Sequence, residues 1–312
     1  GISNEDAWLL IKLSRRGNTK HLPLLDSEGK PFEYWVPDGM MRDLNAVDLW
    51  AGGNIVSDHA EPLASREQYV IRSLMDEAIA SSQLEGADTT RKAAKELLRT
   101  GRKPRDVGEQ MILNNWETIQ FIRENKAVTL TPEFVSEIHA RITHGTLADP
   151  KESGQFRNRD DIVVEYRTQV VHVPPKATTL PDRMERLCKF VNTEQEPSWI
   201  HPVLKGAIIH FWLAYDHPFT DGNGRTARAL MYWFLLSRGY LLFEYLSISQ
   251  YIHRAPGRYV RAYLYSETDD NDLTYFLSYN LRAIRQACND AKEYITRKQN
   301  ELARANALLK TY

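Results

Sequence analysis

Residues 217–228 read HPFTDGNGRTAR, which places a histidine, a carboxylate, two glycines and two arginines on one short stretch between two strongly apolar segments. Gly222 and Gly224 let the backbone approach a ligand closely and turn its N–H groups outward. The helix that begins after them adds a partial positive charge and unpaired N–H donors. Together these features make an anion cradle. Arg225 and Arg228 stand three apart on the first turn of that helix, where the dipole disfavours cations unless an anion is present. Phosphate meets that requirement. Asp221 beside the cradle suits Mg2+, which usually takes one or two carboxylates together with phosphate oxygens and waters. His217, at the entrance of the loop, can accept a proton near neutral pH without large retuning. Base, metal, cradle and cationic clamp describe phosphoryl or nucleotidyl transfer, in which catalysis is mostly positioning and charge neutralisation. Phe219, between polar neighbours, reads as a buried anchor of the loop.

Two other readings of the same residues fit less well. GNGRTA formally matches the dinucleotide fingerprint G-x-G-x-x-G/A, but that turn follows a strand and the segment preceding this one is helical. His210, His217 and Asp221 could ligate the metal of a hydrolase, yet no HExxH or comparable pairing supports it.

The loop needs rigid supports, and the flanking segments supply them. VLKGAIIHFWLAY (203–215) is apolar on nearly all sides and is expected as a central buried helix, while RTARALMYWFLLSR (225–238) is expected as a second one ended by Gly239. Helical periodicity also runs over 66–86, 89–99, 107–125, 131–144 and about 181–192, with Thr131 as N-cap and Pro132 at the first helical position of the fourth. The exception is 155–173, where Ile162, Val163, Val164 and Val170, Val171, Val173 flank the turn-like EYRT and predict a short hairpin closed by Pro174 and Pro175. Residues 1–64, with scattered Pro and Gly, are expected as an irregular N-terminal wrap carrying one modest helix around Met41–Leu49. The expected class is therefore all-α with a small β-hairpin.

Toward the C-terminus, Leu277, Leu281, Ile284, Cys288, Ala291, Ile295, Leu302, Ala305 and Leu309 keep an alternating three-and-four spacing broken only by Lys298. This predicts a long helix whose part beyond about Tyr294 runs free and could pair with another helix, so a homodimer through helices is a candidate assembly. Residues 65–285 are taken as the core domain and 286–312 as a helical extension.

Composition narrows the setting. The 312 residues carry a formal net charge of -1, without the basic excess that would draw the whole chain to nucleic acid or anionic lipid. Cys188 and Cys288 lack CxxC spacing, so a disulfide framework or zinc site is not expected, and a reducing cytoplasm fits. No stretch reaches the roughly 18 apolar residues of a membrane helix, so no membrane role is expected.

HPFTDGNGRTAR matches, at every defined position, the signature HPFx(D/E)GNGRxxR, and in this the chain resembles the Fic family. IHPVLKGAIIHFWLAYDHPF resembles the helix leading into that family's active loop, and SGQFRNRDDIVV followed by VVHVPP resembles its flap hairpin, so the likeness covers roughly 66–285. It implies a Fic-like helical core and an enzyme that moves AMP from the co-substrate ATP to a Ser, Thr or Tyr hydroxyl of a protein. In that scheme His217 takes the hydroxyl proton and Asp221 holds Mg2+. Asn223, the N–H groups of Gly222 and Gly224, and Arg225 hold the α- and β-phosphates, and Arg228 reaches the γ-phosphate. The flap around Val170, Val171 and His172 aligns the target by adding a strand. Tyr259 resembles an aromatic that borders the nucleotide, and Val260 stands where many relatives have a second one. Nucleic acid would be reached only through a further domain outside this chain, such as the DNA-binding domain of many relatives.

SSQLEG, residues 81–86, fits the family's inhibitory pattern (S/T)xxxE(G/N), with Ser81 and Glu85 in the required places. Glu85 is expected at a helix C-terminus, where its charge is disfavoured by roughly 0.3–1 kcal/mol and a cation is welcome. Ser81, one turn earlier, is expected to help fix the carboxylate. The resemblance implies a Glu85–Arg228 ion pair that keeps Arg228 from the γ-phosphate. Two alternatives use the same residues: an ATP-binding interaction module without turnover, and an enzyme that removes AMP with Glu85 positioning a water.

Overall fold

A computed structural model describes residues 2–51, 63–193 and 199–309. The centre of the molecule is a pair of helices that carry no polar face. Along α8 (Pro202–Asp216) and α9 (Asn223–Ser237) nearly every side chain is buried, because both sequences are apolar all round and other helices must enclose them. Gly206 lets the two approach, since a methyl group there would press on Leu235. Around this pair stand α3 (Leu63–Leu84), α5 (Val107–Glu124), α6 (Pro132–Thr143), α7 (Leu180–Asn192), α10 (Ile248–Arg254), α11 (Pro256–Thr268) and α12 (Thr274–Leu309), with α4 (Arg91–Thr100) outside α5. Local chemistry sets several starts. Thr90, Asp106 and Thr131 each accept a backbone N–H with their side chains, and Pro132 occupies the first turn of α6.

The expected mostly helical class holds, with two small antiparallel hairpins. Residues 1–64, expected to be irregular, are largely ordered up to residue 51. They form helix α1 (Asn4–Arg15), hairpin β1–β2 (Lys20–Leu25 and Pro31–Tyr34) and α2 (Asp38–Ala51). Leu22, Leu24, Phe32 and Tyr34 alternate into the core, and Asp26 closes the turn by accepting the N–H groups of Glu28 and Lys30. The alternation is masked in the sequence by Pro23, which coincides with an irregularity in the ladder between His21 and Leu25. The remainder of the expected wrap, 52–62, lies outside the described residues. The flap strands are shorter than 155–173. They are β3 (Val164–Tyr166) and β4 (Gln169–His172), turned through Arg167 and Thr168 at positive φ.

The C-terminal helix is continuous across 285/286, so the expected boundary there falls mid-helix, and Ala287, Cys288 and Ala291 still pack in the core. At its edge Tyr294 stacks on Tyr69 of α3 at 4.6 Å. The side chains of Leu302, Ala305 and Leu309 lie outside the described residues. Cys188 and Cys288 are both free and buried. Among the described residues no helix is long and apolar enough to cross a membrane.

Candidate active site

His217 caps α8 in a left-handed conformation (φ 45°, ψ 57°), a strained state for a residue with a Cβ that its surroundings must hold. Its N–H donates to the Leu213 carbonyl at 3.0 Å. Arg157, 5% exposed, supplies the rest: Nε donates to the His217 carbonyl at 2.9 Å and its backbone N–H to that of Pro218 at 2.8 Å. The remaining guanidinium nitrogens donate to the carbonyls of Arg159 and Pro175, so one buried arginine ties the loop to the segments on either side of the flap. The ring Nδ1 of His217 lies 3.2 Å from the Ala214 carbonyl. A carbonyl only accepts, so Nδ1 carries the proton and Nε2 keeps its lone pair. Burial holds the imidazole pKa down at about 4, which leaves the ring neutral and able to accept a proton at physiological pH.

The middle of the loop is clamped from below. Phe219 is fully buried, as expected of an anchor, and stacks flat on His139 at 3.6 Å. His139 Nδ1 accepts the Gly154 N–H at 3.0 Å, and Nε2 lies 2.9 Å from the Asp221 carbonyl and donates to it. Burial keeps this ring neutral as well, with a pKa near 4. His139 and Arg157 were not singled out by sequence reasoning. The available signal for His139 was a histidine on the apolar stripe of α6 beside Ile138 and Ile142; for Arg157 there was none beyond its place in the flap segment.

Asn223 departs from expectation. Its side-chain amide donates to the Phe219 carbonyl at 2.8 Å and accepts the Phe219 N–H at 2.9 Å, closing the loop on itself. The amide thereby braces the loop, and the Asn223 backbone N–H at the start of α9 stands ready as a donor for a ligand. Gly222, at φ 79°, needs its glycine: a Cβ there would lie 2.7 Å from Thr143 Cγ2.

Above the loop the cations converge. Arg225 is 1% exposed and donates from Nη1 to the Ile142 carbonyl at 3.2 Å, while its buried Nε has no partner. An unpaired buried guanidinium donor calls for an anion. Asp221, by contrast, keeps 61% of its side chain exposed, with Oδ2 3.8 Å from Arg225 Nη2. Arg228 is enclosed by the end of α3: Nη2 donates to Glu85 Oε1 at 2.8 Å and to the Ser81 carbonyl at 2.9 Å, and Nε donates to Ser81 Oγ at 2.8 Å. Ser81 thus binds the arginine and not the carboxylate as expected, because its hydroxyl faces the guanidinium directly. A methyl group on Gly224 would collide with Glu85 Oε1. The Glu85 carboxylate therefore sits over the first turn of α9, where the unpaired backbone donors of a helix start point.

His172, expected to align the target, and Tyr259, expected beside the nucleotide and lying next to Arg228, both spend their polar groups on the protein itself. His172 is held at both nitrogens, by Glu267 Oε2 and the Tyr215 carbonyl, each at 2.7 Å, and so fastens the base of the flap. Tyr259 directs its hydroxyl inward, 2.8 Å from His210 Nε2 and 3.1 Å from the Tyr263 hydroxyl. Val171 stays half-buried on β4, beside Val170, which is 54% exposed.

Residues 129–235 match the Fic/DOC family. The chain therefore carries a Fic domain. It is 39% identical over 129 residues to the protein adenylyltransferase Fic of Drosophila grimshawi, covering 40% of this chain and 24% of that protein. To the protein of the same name from Nematostella vectensis it is 36% identical over 115 residues, covering 37% and 25%. The chain spans about a quarter of the length of these curated relatives. In fold it is similar to a Fic family protein from Desulfovibrio desulfuricans G20, with a TM-score of 0.69, 21% identity and coverage of 84% of this chain and 76% of that one. Fic-1 (residues 134–508) from C. elegans gives a TM-score of 0.65 at 18% identity, covering 83% and 73%.

Proposed function

We propose that the chain is a self-inhibited protein adenylyltransferase, which transfers AMP from ATP to a Ser, Thr or Tyr hydroxyl of a protein. The observation that carries this reading is the cradle itself: a neutral His217 with an open Nε2 beside the buried cations Arg225 and Arg228, the second of them paired with Glu85. In the reaction, His217 Nε2 accepts the hydroxyl proton as the oxygen attacks the α-phosphorus. The bond to the β-phosphate oxygen breaks and pyrophosphate leaves. The N–H groups at the start of α9 and Arg225 neutralise the α- and β-phosphates, and Arg228 serves the γ-phosphate.

Mg2+ suits Asp221, the exposed carboxylate at the phosphate end; bound there, it would neutralise phosphate charge. Among the described residues no three His, Cys, Asp or Glu side chains cluster as a metal site, so the nucleotide must supply much of the coordination. The protein target would dock along β4, whose outer edge is unpaired in a two-stranded sheet. The free, buried thiols suit a reducing compartment such as the cytoplasm.

The brake is Glu85. Its carboxylate takes Arg228 from the γ-phosphate and lies over the cradle as an internal anion, so ATP would bind unproductively until it moves. A second reading rests on the 28% exposure of the Glu85 side chain, which would let it position a water for removal of AMP at the same site. Incubation with α-labelled ATP, Mg2+ and lysate separates these readings from a mere ATP-binding module. Label on protein that His217→Ala abolishes supports transfer, whereas ATP binding without label defeats it, and loss of label from a pre-modified protein identifies removal.

A further inference from the structure

Glu77 lies on the face of α3 that carries Ser81 and Glu85, two turns before Glu85, and only 2% of it is exposed. A buried carboxylate is costly unless donors surround it. These come from the start of α10: the Ser249 N–H at 2.9 Å and Ser247 Oγ at 3.1 Å, both to Oε2, and Ser249 Oγ to Oε1. Ser247, the residue before α10, makes no capping bond to its own helix, so a residue of another helix satisfies that end. The same end is held from α9. The Tyr232 hydroxyl accepts the Ile248 N–H at 3.1 Å and donates to the Leu246 carbonyl at 2.8 Å.

Tyr232 follows Arg228 by one turn of α9, and Glu77 precedes Ser81 by one turn of α3. The two helices are thus joined at two levels. At one, Arg228 meets Ser81 and Glu85 directly. At the other, Glu77 and Tyr232 grip the same few residues of α10. The first level must open if ATP is to be used. The second has no such requirement, and it fixes where along α9 the end of α3 stands.

We propose that Glu77 is a positioning residue for the brake: its clasp on Ser247 and Ser249 sets the register of α3 against α9 and so delivers Glu85 to Arg228. This rests on the reading of Glu85 as the inhibitor. α10 runs directly into α11, which carries Tyr259, so the clasp also links the brake to the helix beside the site.

The test is a set of variants of the full chain, assayed for self-labelling with α-labelled ATP and Mg2+. Glu77→Ala should raise labelling by about tenfold, the shift that follows when loss of register weakens the Glu85–Arg228 pairing by about 1.4 kcal/mol. In a Glu85→Gly background the same change should alter labelling less than about twofold, because a residue that acts only through Glu85 has nothing left to position. Glu77→Gln, which keeps one acceptor oxygen, should fall between, and Ser249→Ala should reproduce part of the effect if Glu77→Ala does not fold. Amide exchange over 80–86 should quicken in Glu77→Ala, while exchange in α8 stays as in the parent. Unchanged or lower labelling with Glu85 present, or an equal change in both backgrounds, overturns the proposal. If Glu85→Gly alone fails to activate, the brake reading falls and the Glu77 proposal with it, whereas activation by Glu85→Gly without activation by Glu77→Ala overturns the Glu77 proposal alone.

Discussion

The active loop and the flap are neighbours, tied together through Arg157 and through the hold of His172 on the end of α8, yet they are built on opposite principles. In the loop, Phe219, Asn223, Arg225 and Arg228 are all at most 2% exposed, and almost every polar group is tied to a named partner. In the flap, two strands of three and four residues turn through Arg167 and Thr168 at positive φ, with Val170 half-exposed and Val173 65% exposed. Its firm attachments are at its foot, through His172 and Arg157. The difference teaches a division of labour. Groups that meet developing charge must not reorganise during the reaction, whereas a strand that receives a partner must have unpaired edges. Under the proposed function, chemistry falls to the buried region and recognition to the exposed one.

The sharpest way to break that comparison is at His217. His217→Ala should lower label transfer by about 100-fold or more, the usual scale for a lost general base, with ATP affinity nearly unchanged. Equal loss of ATP binding, measured by calorimetry, would show that the histidine holds the nucleotide instead. Next in size is the brake. Glu85→Gly should raise self-labelling by about a hundredfold, corresponding to a locked-state bias of about 2.7 kcal/mol. Arg228→Ala should be inactive with or without Glu85, and labelling by Arg228→Ala would remove Arg228 from the scheme.

The buried histidines sharpen the comparison through pH. His217 must be neutral to act, and its pKa is held near 4, so activity should persist through pH 6 and decline only toward pH 4. A midpoint near 6.5 in the rate profile would contradict that burial. His139 bears on stability in the same direction. Its folded pKa, about 4, lies below the ordinary value of 6.5, so between these limits the unfolded chain binds more protons. The stabilisation is complete above 6.5 and is lost as pH falls toward 4. Urea midpoints measured from pH 7.5 to 4.5 should fall more steeply for the parent than for His139→Gln, and parallel slopes would dismiss the assignment.

The smallest effect is expected in the flap. Val170→Lys sits on an exposed strand, where substitutions change stability by about 0.5 kcal/mol or less, so melting should not move. Labelling of a protein target should drop only a few-fold, through KM, while ATP affinity stays constant; a loss as deep as that of His217→Ala would mean the flap takes part in the chemistry.

How much of this was legible beforehand follows the same line between local and distant causes. Gly222 and Gly224, the arginines of the first turn, the apolar helices on either side and the Glu85–Arg228 pairing were all readable, the last through resemblance to a family pattern. The β1–β2 hairpin was not, because Pro23 disguises its alternation and its stability comes from Leu22, Leu24, Phe32 and Tyr34 meeting a core built by later residues. Asn223 was assigned to phosphate through the family resemblance, whereas its amide takes the backbone groups of Phe219 as partners. His139 and Arg157 lie 60 or more positions from the backbone groups they hold in the loop.

Composition and short-range spacing determined that the chain is helical, that a glycine-rich loop follows α8, and that Arg225 and Arg228 stand on the first turns of the next helix. Those properties depend on residues within a turn or two of each other, where geometry is nearly fixed by the backbone. Only the tertiary structure decided that Arg157 and His139 hold the loop, that Ser81 binds the arginine, that Tyr259 and His172 face inward, and that Glu77 clasps α10. Each of these is a choice among competing donors and acceptors brought together from distant parts of the chain. Burial settles it, because a buried polar group takes whichever partner packing has placed nearest.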